Sequence, residues 1–212
     1  MKDNSPENFS WSKFYSIREQ VTNTYSSVYS LKIKKKITQV ILEELKPGAT
    51  ILDVGSSDRS IGKKIIAKIP SITYKSMDID RALPHDYYTI EEIKESFDMI
   101  ILSEVIEHLE FGQGVLLLRK IRKLLNDGGK IIISTPNMHH PNRYWDSDHK
   151  TPYRYDEIGA ALNLVGLDVS NIYRIYNDPF LQRLFRIYIM APIHSYFDID
   201  FAKSIVVVAV NK

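Results

Sequence analysis

The chain contains no cysteine in its 212 residues. That absence excludes disulfides, thiolate zinc sites, iron–sulfur clusters and cysteine nucleophiles, and leaves oxygen and imidazole to hold any metal. Charge of one sign is also lacking. The 28 lysines and arginines face 26 acids, a formal net +2, so no strong basic field argues for nucleic acid. No apolar run approaches the roughly 18–20 residues that span a bilayer. The opening MKDNSPENFS has no apolar stretch behind its lysine, which argues against a secretory leader. The sequence holds no internal repeat and no low-complexity tract. What remains is an ordinary globular composition, 44% apolar and 25% charged, in a chain long enough to build its own core. The expectation is a soluble, cytoplasmic protein.

Residues 1–30 read as an N-terminal cap segment, polar at first and then rich in Trp, Phe, Tyr, Ser and Thr, as suits a helix lying on a domain. The stripe Ile33, Ile37, Val40, Ile41 and Leu45 predicts an amphipathic helix over 31–46, stopped by Pro47-Gly48. Lys32, Lys34, Lys35 and Lys36 cluster near its start, as a solvated helix face or, in the alternative, a phosphate-binding patch. From there strands and helices alternate. Strands are expected at 50–54, 72–77, 97–103, 130–135, 167–175 and 204–210. Helices are expected at 60–69 with Ser60 as N-cap, at 113–126 closed by Asn126-Asp127-Gly128-Gly129, and from Tyr155 or Asp156 to Gly166. Strands that are continuous apolar runs between helices indicate an α/β fold with a mostly parallel sheet covered on both faces. Residues 31–212 form that domain. Within it, 176–203 reads as a helical cap inserted before the last strand, its apolar side turned to the core.

In open α/β sheets ligands bind beyond the carboxyl ends of the strands. The first such turn is Asp53-Val54-Gly55-Ser56-Ser57-Asp58-Arg59-Ser60. Gly55 allows close backbone approach to a ligand. Asp78 lies 25 residues beyond Asp53, at the end of the second expected strand, where an acid can accept hydrogen bonds from both hydroxyls of a ribose. The turn lacks the three-glycine fingerprint that a dinucleotide pyrophosphate requires, and the carboxylates of Asp53 and Asp58 would repel one. They suit a ligand bearing an ammonium and a sulfonium, as S-adenosylmethionine does.

These residues resemble the class I S-adenosylmethionine-dependent methyltransferases, especially the broad group that includes ubiquinone-pathway O-methyltransferases. The likeness runs over about 31–175 and the last strand. Ile51-Leu52-Asp53-Val54-Gly55-Ser56 is similar to the family's first motif, with Ser57 and Arg59 where it has two further glycines. Phe97 to Ile101, Ser103-Glu104-Val105-Ile106-Glu107-His108-Leu109 and Leu124 to Gly129 are similar to its later segments. The resemblance implies a Rossmann-like, seven-stranded sheet with S-adenosylmethionine as cofactor. It implies that Asp53, Gly55, Ser57 and Ser103 line the cofactor, that Asp78 holds the ribose beside Ile79, and that Asp86 receives the adenine amino group.

Methyl transfer to a hydroxyl needs an acceptor aimed at the sulfonium methyl and a base for its proton. His108 and His149 are the base candidates. The long polar and aromatic segment Pro136 to His149 suits a sugar-like or phenolic acceptor, with His139, Arg143, Tyr144 and Trp145 as its contacts. The partner is thus a small-molecule acceptor. No metal is assigned. As an alternative, Glu104, Glu107, His108 and His149 resemble the metal set of small-RNA 2′-O-methyltransferases, which implies metal-assisted RNA methylation. A further alternative is a non-catalytic nucleoside-binding module on the same fold.

Overall fold

A computed structural model describes residues 10–142 and 146–212. In chain order its elements are α1 (Trp11–Thr24), β1 (Lys32–Lys34), α2 (Ile37–Glu44), β2 (Thr50–Val54), α3 (Ser60–Ile66), β3 (Thr73–Met77) and β4 (Phe97–Ser103). There follow α4 (Phe111–Lys123), β5 (Leu125–Pro136), α5 (Tyr155–Leu164), β6 (Leu167–Ile175), α6 (Phe180–Leu184), α7 (Ala191–Tyr196) and β7 (Ser204–Asn211). The seven strands lie in the order β1-β6-β7-β5-β4-β2-β3. β7 runs antiparallel to both β5 and β6, and every other pair is parallel. Alternation along the strands divides the core into two layers. Leu52, Ile100, Leu102, Ile131, Ile133 and Val207 face one side, in the cluster that holds Phe14, Leu118 and Ile158 of α1, α4 and α5. Ile51, Met99, Ile101, Ile132, Val206 and Val208 face the other, with Val40, Ile41 and Ile65 of α2 and α3. Each such side chain contributes about 1.5–3 kcal/mol on burial. The sheet is therefore a rigid platform, and the site lies along its carboxyl edge. Among the described residues, no helix is long and apolar enough to cross a membrane.

Three expectations need correction. The helix expected over 31–46 is a strand followed by a helix. Lys32, Ile33 and Lys34 pair in parallel with Tyr173, Arg174 and Ile175 of β6, and this edge strand is the seventh of the sheet. Lys36 is still extended (φ −149°, ψ 151°), so α2 begins only at Ile37 and Ile33 leaves the helical stripe. A free sheet edge outcompetes helical periodicity in so short a segment.

Asn126 to Gly129 does not cap a helix. β5 has already begun at Leu125, opposite Phe97, and it resumes at Lys130 opposite Met99. The four residues loop out of the strand, held by Asn126 Nδ2 donating to Asp98 Oδ1 at 2.8 Å.

The inserted cap is helical, but its apolar side does not face the core. No residue of α6, of the π-helical turn Phe185–Ile189 or of α7 is buried. Tyr188 and Tyr196 are 72% and 83% exposed. Polar contacts tie the insertion down instead. The Tyr29 hydroxyl donates to the carbonyls of His194 and Ile199 at 3.1 and 3.2 Å, and buried Asp200 accepts from Arg174 and Asn137.

Candidate active site

After β2 the chain takes left-handed backbone at every second position: Gly55 (φ 74°), Ser57 (φ 44°) and Arg59 (φ 59°). Two of these are not glycine, so the path of a glycine-rich turn survives without its glycines. The left-handed conformation costs roughly 1–2 kcal/mol for an ordinary residue. The amides of Gly55 and Ser56 donate to the Met77 carbonyl at 2.9 and 3.1 Å, binding the turn to the end of β3. Asp58 Oδ1 accepts the Ser60 amide at 2.9 Å. Arg59 occupies the N-cap position of α3 expected for Ser60, and it supplies no side-chain cap. Gly55 has no space for a side chain, because a Cβ there would lie 2.2 Å from Val105 Cγ2. Gly55→Ala is expected to cost about 2–4 kcal/mol, from forced left-handed strain plus overpacking. Thermal unfolding would show it as a lowered Tm. An unchanged Tm would mean that this turn does not sit as described.

The two aspartates end neighbouring strands but differ in access. Asp53 is 1% exposed, and Tyr74 Oη donates to its Oδ2 at 2.7 Å. Gly62 makes that contact possible, because a Cβ on it would lie 2.3 Å from Tyr74 Cζ. Asp78 is half-buried and accepts the amides of Ser57 at 2.8 Å and Asp80 at 3.0 Å. Ile79 beside it is 81% exposed. Only Asp78 presents its carboxylate toward solvent, while Asp53 lies beneath the turn.

Burial pushes the Asp53 carboxyl up to about 6. The Tyr74 hydrogen bond opposes that rise and the Asp78 charge adds to it. The folded state therefore holds a proton that the unfolded chain, near 3.8, has already lost. Stability is unaffected below about pH 4, falls as pH rises toward 6, and carries the full penalty above that, roughly 3 kcal/mol. Asp53→Asn should remove this dependence. Relative to the parent, the variant should gain about that amount between pH 4 and 7 in denaturant titrations. Parallel pH profiles would contradict the assignment.

The loop from Asp78 to Asp86 folds back on β3. Asp86 Oδ2 accepts the amide and hydroxyl of Ser76, both at 2.9 Å, and Oδ1 meets Lys75 Nζ at 3.1 Å. Burial works against the charge of Asp86, but these bonds outweigh it and hold the carboxyl below its ordinary range. Its oxygens fasten the loop. His85 places Nδ1 3.1 Å from the buried Ser56 hydroxyl.

One strand over, the ends of β4, β5, β6 and β7 open on a crevice of about 840 Å³. Ser103, Glu104, Glu107, His108 and His149 line it, with Ile37, Ile175, Val206 and Phe201 as apolar wall. Ser103 Oγ lies 3.0 Å from Ser134 Oγ, which lies 2.7 Å from Glu104 Oε1. Glu104 is itself left-handed (φ 53°), a strained position of the kind found at functional sites. Solvent reaches this residue through the crevice mouth, while its carboxyl lies deep among protein atoms; burial raises its pKa. Glu107 is 1% exposed, and neither of its carboxylate oxygens has a hydrogen-bond partner among the described residues. Burial, reinforced by the neighbouring Glu104 charge, holds its carboxyl far above the usual range.

The sequence reading put Glu104, Glu107 and His108 on one helical face. In the structure a left-handed residue and a short 3-10 turn, Ile106–His108, bring them together. The Glu107 carbonyl accepts the amides of Lys150 and Thr151 at 2.8 and 3.0 Å, and so docks the loop that carries His149. The His108 and His149 rings are 4.9 Å apart between centroids. His108 Nδ1 lies 3.1 Å from Asp148 Oδ2, and His149 Nε2 lies 3.9 Å from Asp146 Oδ2. Ligand atoms of Glu107, His108 and His149 all fall within 4.8 Å of one another. His139 turns away: its Nδ1 lies 3.2 Å from the Asp198 carbonyl, and His140 lines the crevice in its place. The expected acceptor contacts Arg143, Tyr144 and Trp145 lie outside the described residues.

A family profile described as "Methyltransferase domain" matches residues 26–172. A SAM-dependent methyltransferase from Archaeoglobus fulgidus superposes with a TM-score of 0.66 at 16% identity, over 94% of this chain and 96% of that one. The N-methyltransferase NodS of Bradyrhizobium japonicum, solved with S-adenosyl-L-homocysteine, gives 0.57 at 15% identity over 82% and 85%. The [4+2]-cyclase SpnF gives 0.58 at 11% identity over 82% and 79%. No curated protein matches by sequence.

Proposed function

Because the chain belongs to the methyltransferase-domain family and has the class I S-adenosylmethionine-dependent methyltransferase fold, we propose that it transfers the methyl of S-adenosylmethionine to a hydroxyl of a small, sugar-like or phenolic acceptor. The observation that carries this reading is adjacency. The left-handed turn and Asp78 end β2 and β3, while the polar crevice begins at the next strand, β4, whose Leu102 pairs with Val54. A cofactor on the first half-site would turn its sulfonium toward the second. Asp78 takes the ribose hydroxyls, with the exposed face of Ile79 under the adenine. The backbone of Gly55 to Ser57 and the side chain of Ser103 flank the methionine portion. Asp53, beneath the turn, adds negative charge near the ammonium. Asp86 acts on the adenine end by fixing the loop.

In the crevice the acceptor hydroxyl lies against His108, which Asp148 orients, with His149 packed on the same ring. Such a base contributes typically 10²–10⁴-fold. Holding the acceptor in line with the methyl supplies roughly 7–11 kcal/mol. A screen with labelled S-adenosylmethionine against sugars, phenols and nucleotides tests the reaction. Label on a hydroxyl supports it. Cofactor binding without transfer to any acceptor would leave a non-catalytic nucleoside-binding module.

One observation favours a second reading. The two unpartnered oxygens of buried Glu107, grouped with the imidazoles of His108 and His149, are the donor set of a divalent cation. The carboxylate of Asp148 on His108 Nδ1 is the outer support such ligands usually have. In this reading the imidazoles are ligands rather than bases, and the ion would supply charge to a developing alkoxide. Activity abolished by a chelator and restored by Mn²⁺ would select it; activity indifferent to a chelator would eliminate it.

A further inference from the structure

The crevice carries a set of cations that methyl transfer itself does not use. Lys36 at the N-cap of α2, Lys64 in α3 and Lys203 just before β7 all line it, and all three are exposed. They come from three separate elements, so no local sequence pattern explains their convergence. None of them closes an ion pair among the described residues, where Lys34, Lys75, Lys120 and Lys130 all do. The backbone of Lys203 is fixed on both sides, its amide donating to Ile175 and its carbonyl accepting from Asn137, both at 2.9 Å.

The acids of the same crevice do not neutralise these lysines. Asp178 is taken by Arg186 at 2.8 Å. Asp146 sits at His149. Glu107 is buried, and Glu104 accepts the Ser134 hydroxyl at 2.7 Å.

We propose that the acceptor is an anion whose carboxylate or phosphate is held at the crevice mouth by Lys36, Lys64 and Lys203, while its hydroxyl reaches the His108–His149 floor. This rests on the methyltransferase reading above. The half-buried apolar side chains of Ile37 and Phe201 suit a hydrophobic body on the same molecule. The competing anion is the cofactor's own methionine carboxylate, and the test must separate the two.

The test is calorimetric titration of the full chain, saturated with S-adenosylhomocysteine, with benzoate, phenyl phosphate and benzamide in turn. At least one of the two anions is expected to bind about tenfold or more tightly than benzamide, and which one does so distinguishes carboxylate from phosphate. The triple variant K36Q/K64Q/K203Q, with an unchanged melting curve, should lose that advantage and keep its affinity for S-adenosylhomocysteine. Two results would overturn the proposal. One is that neither anion binds better than benzamide. The other is a triple variant that keeps the anion preference; if it also loses S-adenosylhomocysteine, the lysines belong to the cofactor. A parent chain that does not bind S-adenosylhomocysteine contradicts the methyltransferase reading instead, and the anion comparison on the unliganded chain still decides what the lysines do.

Discussion

Replacing Asp78 by alanine is expected to lower the affinity for S-adenosylmethionine about a hundredfold or more. The proposed pair of charge-assisted hydrogen bonds to the ribose hydroxyls would be lost, each worth roughly 1.5–3 kcal/mol. The same change frees the Ser57 and Asp80 amides that the carboxylate now holds, so the left-handed turn loosens as well. Asp78→Asn separates the two effects. Its amide oxygen still accepts from one of the backbone N–H groups, but the charge that strengthens the ribose bonds is gone, so an intermediate loss is expected. Calorimetry reads both variants. If Asp78→Ala lowers Tm and leaves affinity within threefold, Asp78 caps a turn and nothing more.

Removing His108 is expected to act on turnover rather than on binding. His108→Ala is expected to reduce kcat by about 10²–10⁴ with cofactor affinity unchanged, the ordinary yield of a positioned base. Asp148→Ala should reduce it less, because Asp148 touches His108 Nδ1 and not the acceptor. His149→Ala removes the ring packed against His108 and should fall between them. Initial rates at saturating cofactor, with the acceptor found by the methyl-transfer screen, give the comparison. Full turnover in both histidine variants would take the proton elsewhere.

The sequence made the platform legible and the details of the site less so. The strands at 50–54 and 97–103 are legible because each is mostly an apolar run buried on both faces, and their ends locate Asp53 and Ser103; Asp78 follows the strand between them, β3. β1 was hidden because Ile33 fits a helical stripe as well as an edge strand, and only the free edge of β6 decides between them. The cap misled for a related reason. Its apolar residues have helical spacing, but periodicity does not say whether anything lies opposite them, and Tyr188 and Tyr196 face solvent. Sequence spacing puts Glu104, Glu107 and His108 on one helical face; in the structure φ 53° at Glu104 and a 3-10 turn replace that helix, and the ligand atoms that cluster are those of Glu107, His108 and His149, without Glu104. The Asp53–Tyr74 bond left no signal, because it depends on the gap at Gly62 and on the register of two strands. The convergence of Lys36, Lys64 and Lys203 is likewise a product of the fold, visible only once three elements meet at one crevice.

A crystal structure of the chain soaked to saturation with S-adenosylhomocysteine bears most directly on all of this. The expected result is one nucleoside per chain, its ribose hydroxyls within hydrogen-bonding distance of the Asp78 carboxylate and its sulfur facing the crevice floored by Glu104 and His108. An empty turn at saturating ligand, or a nucleoside seated away from Asp78, would contradict the account.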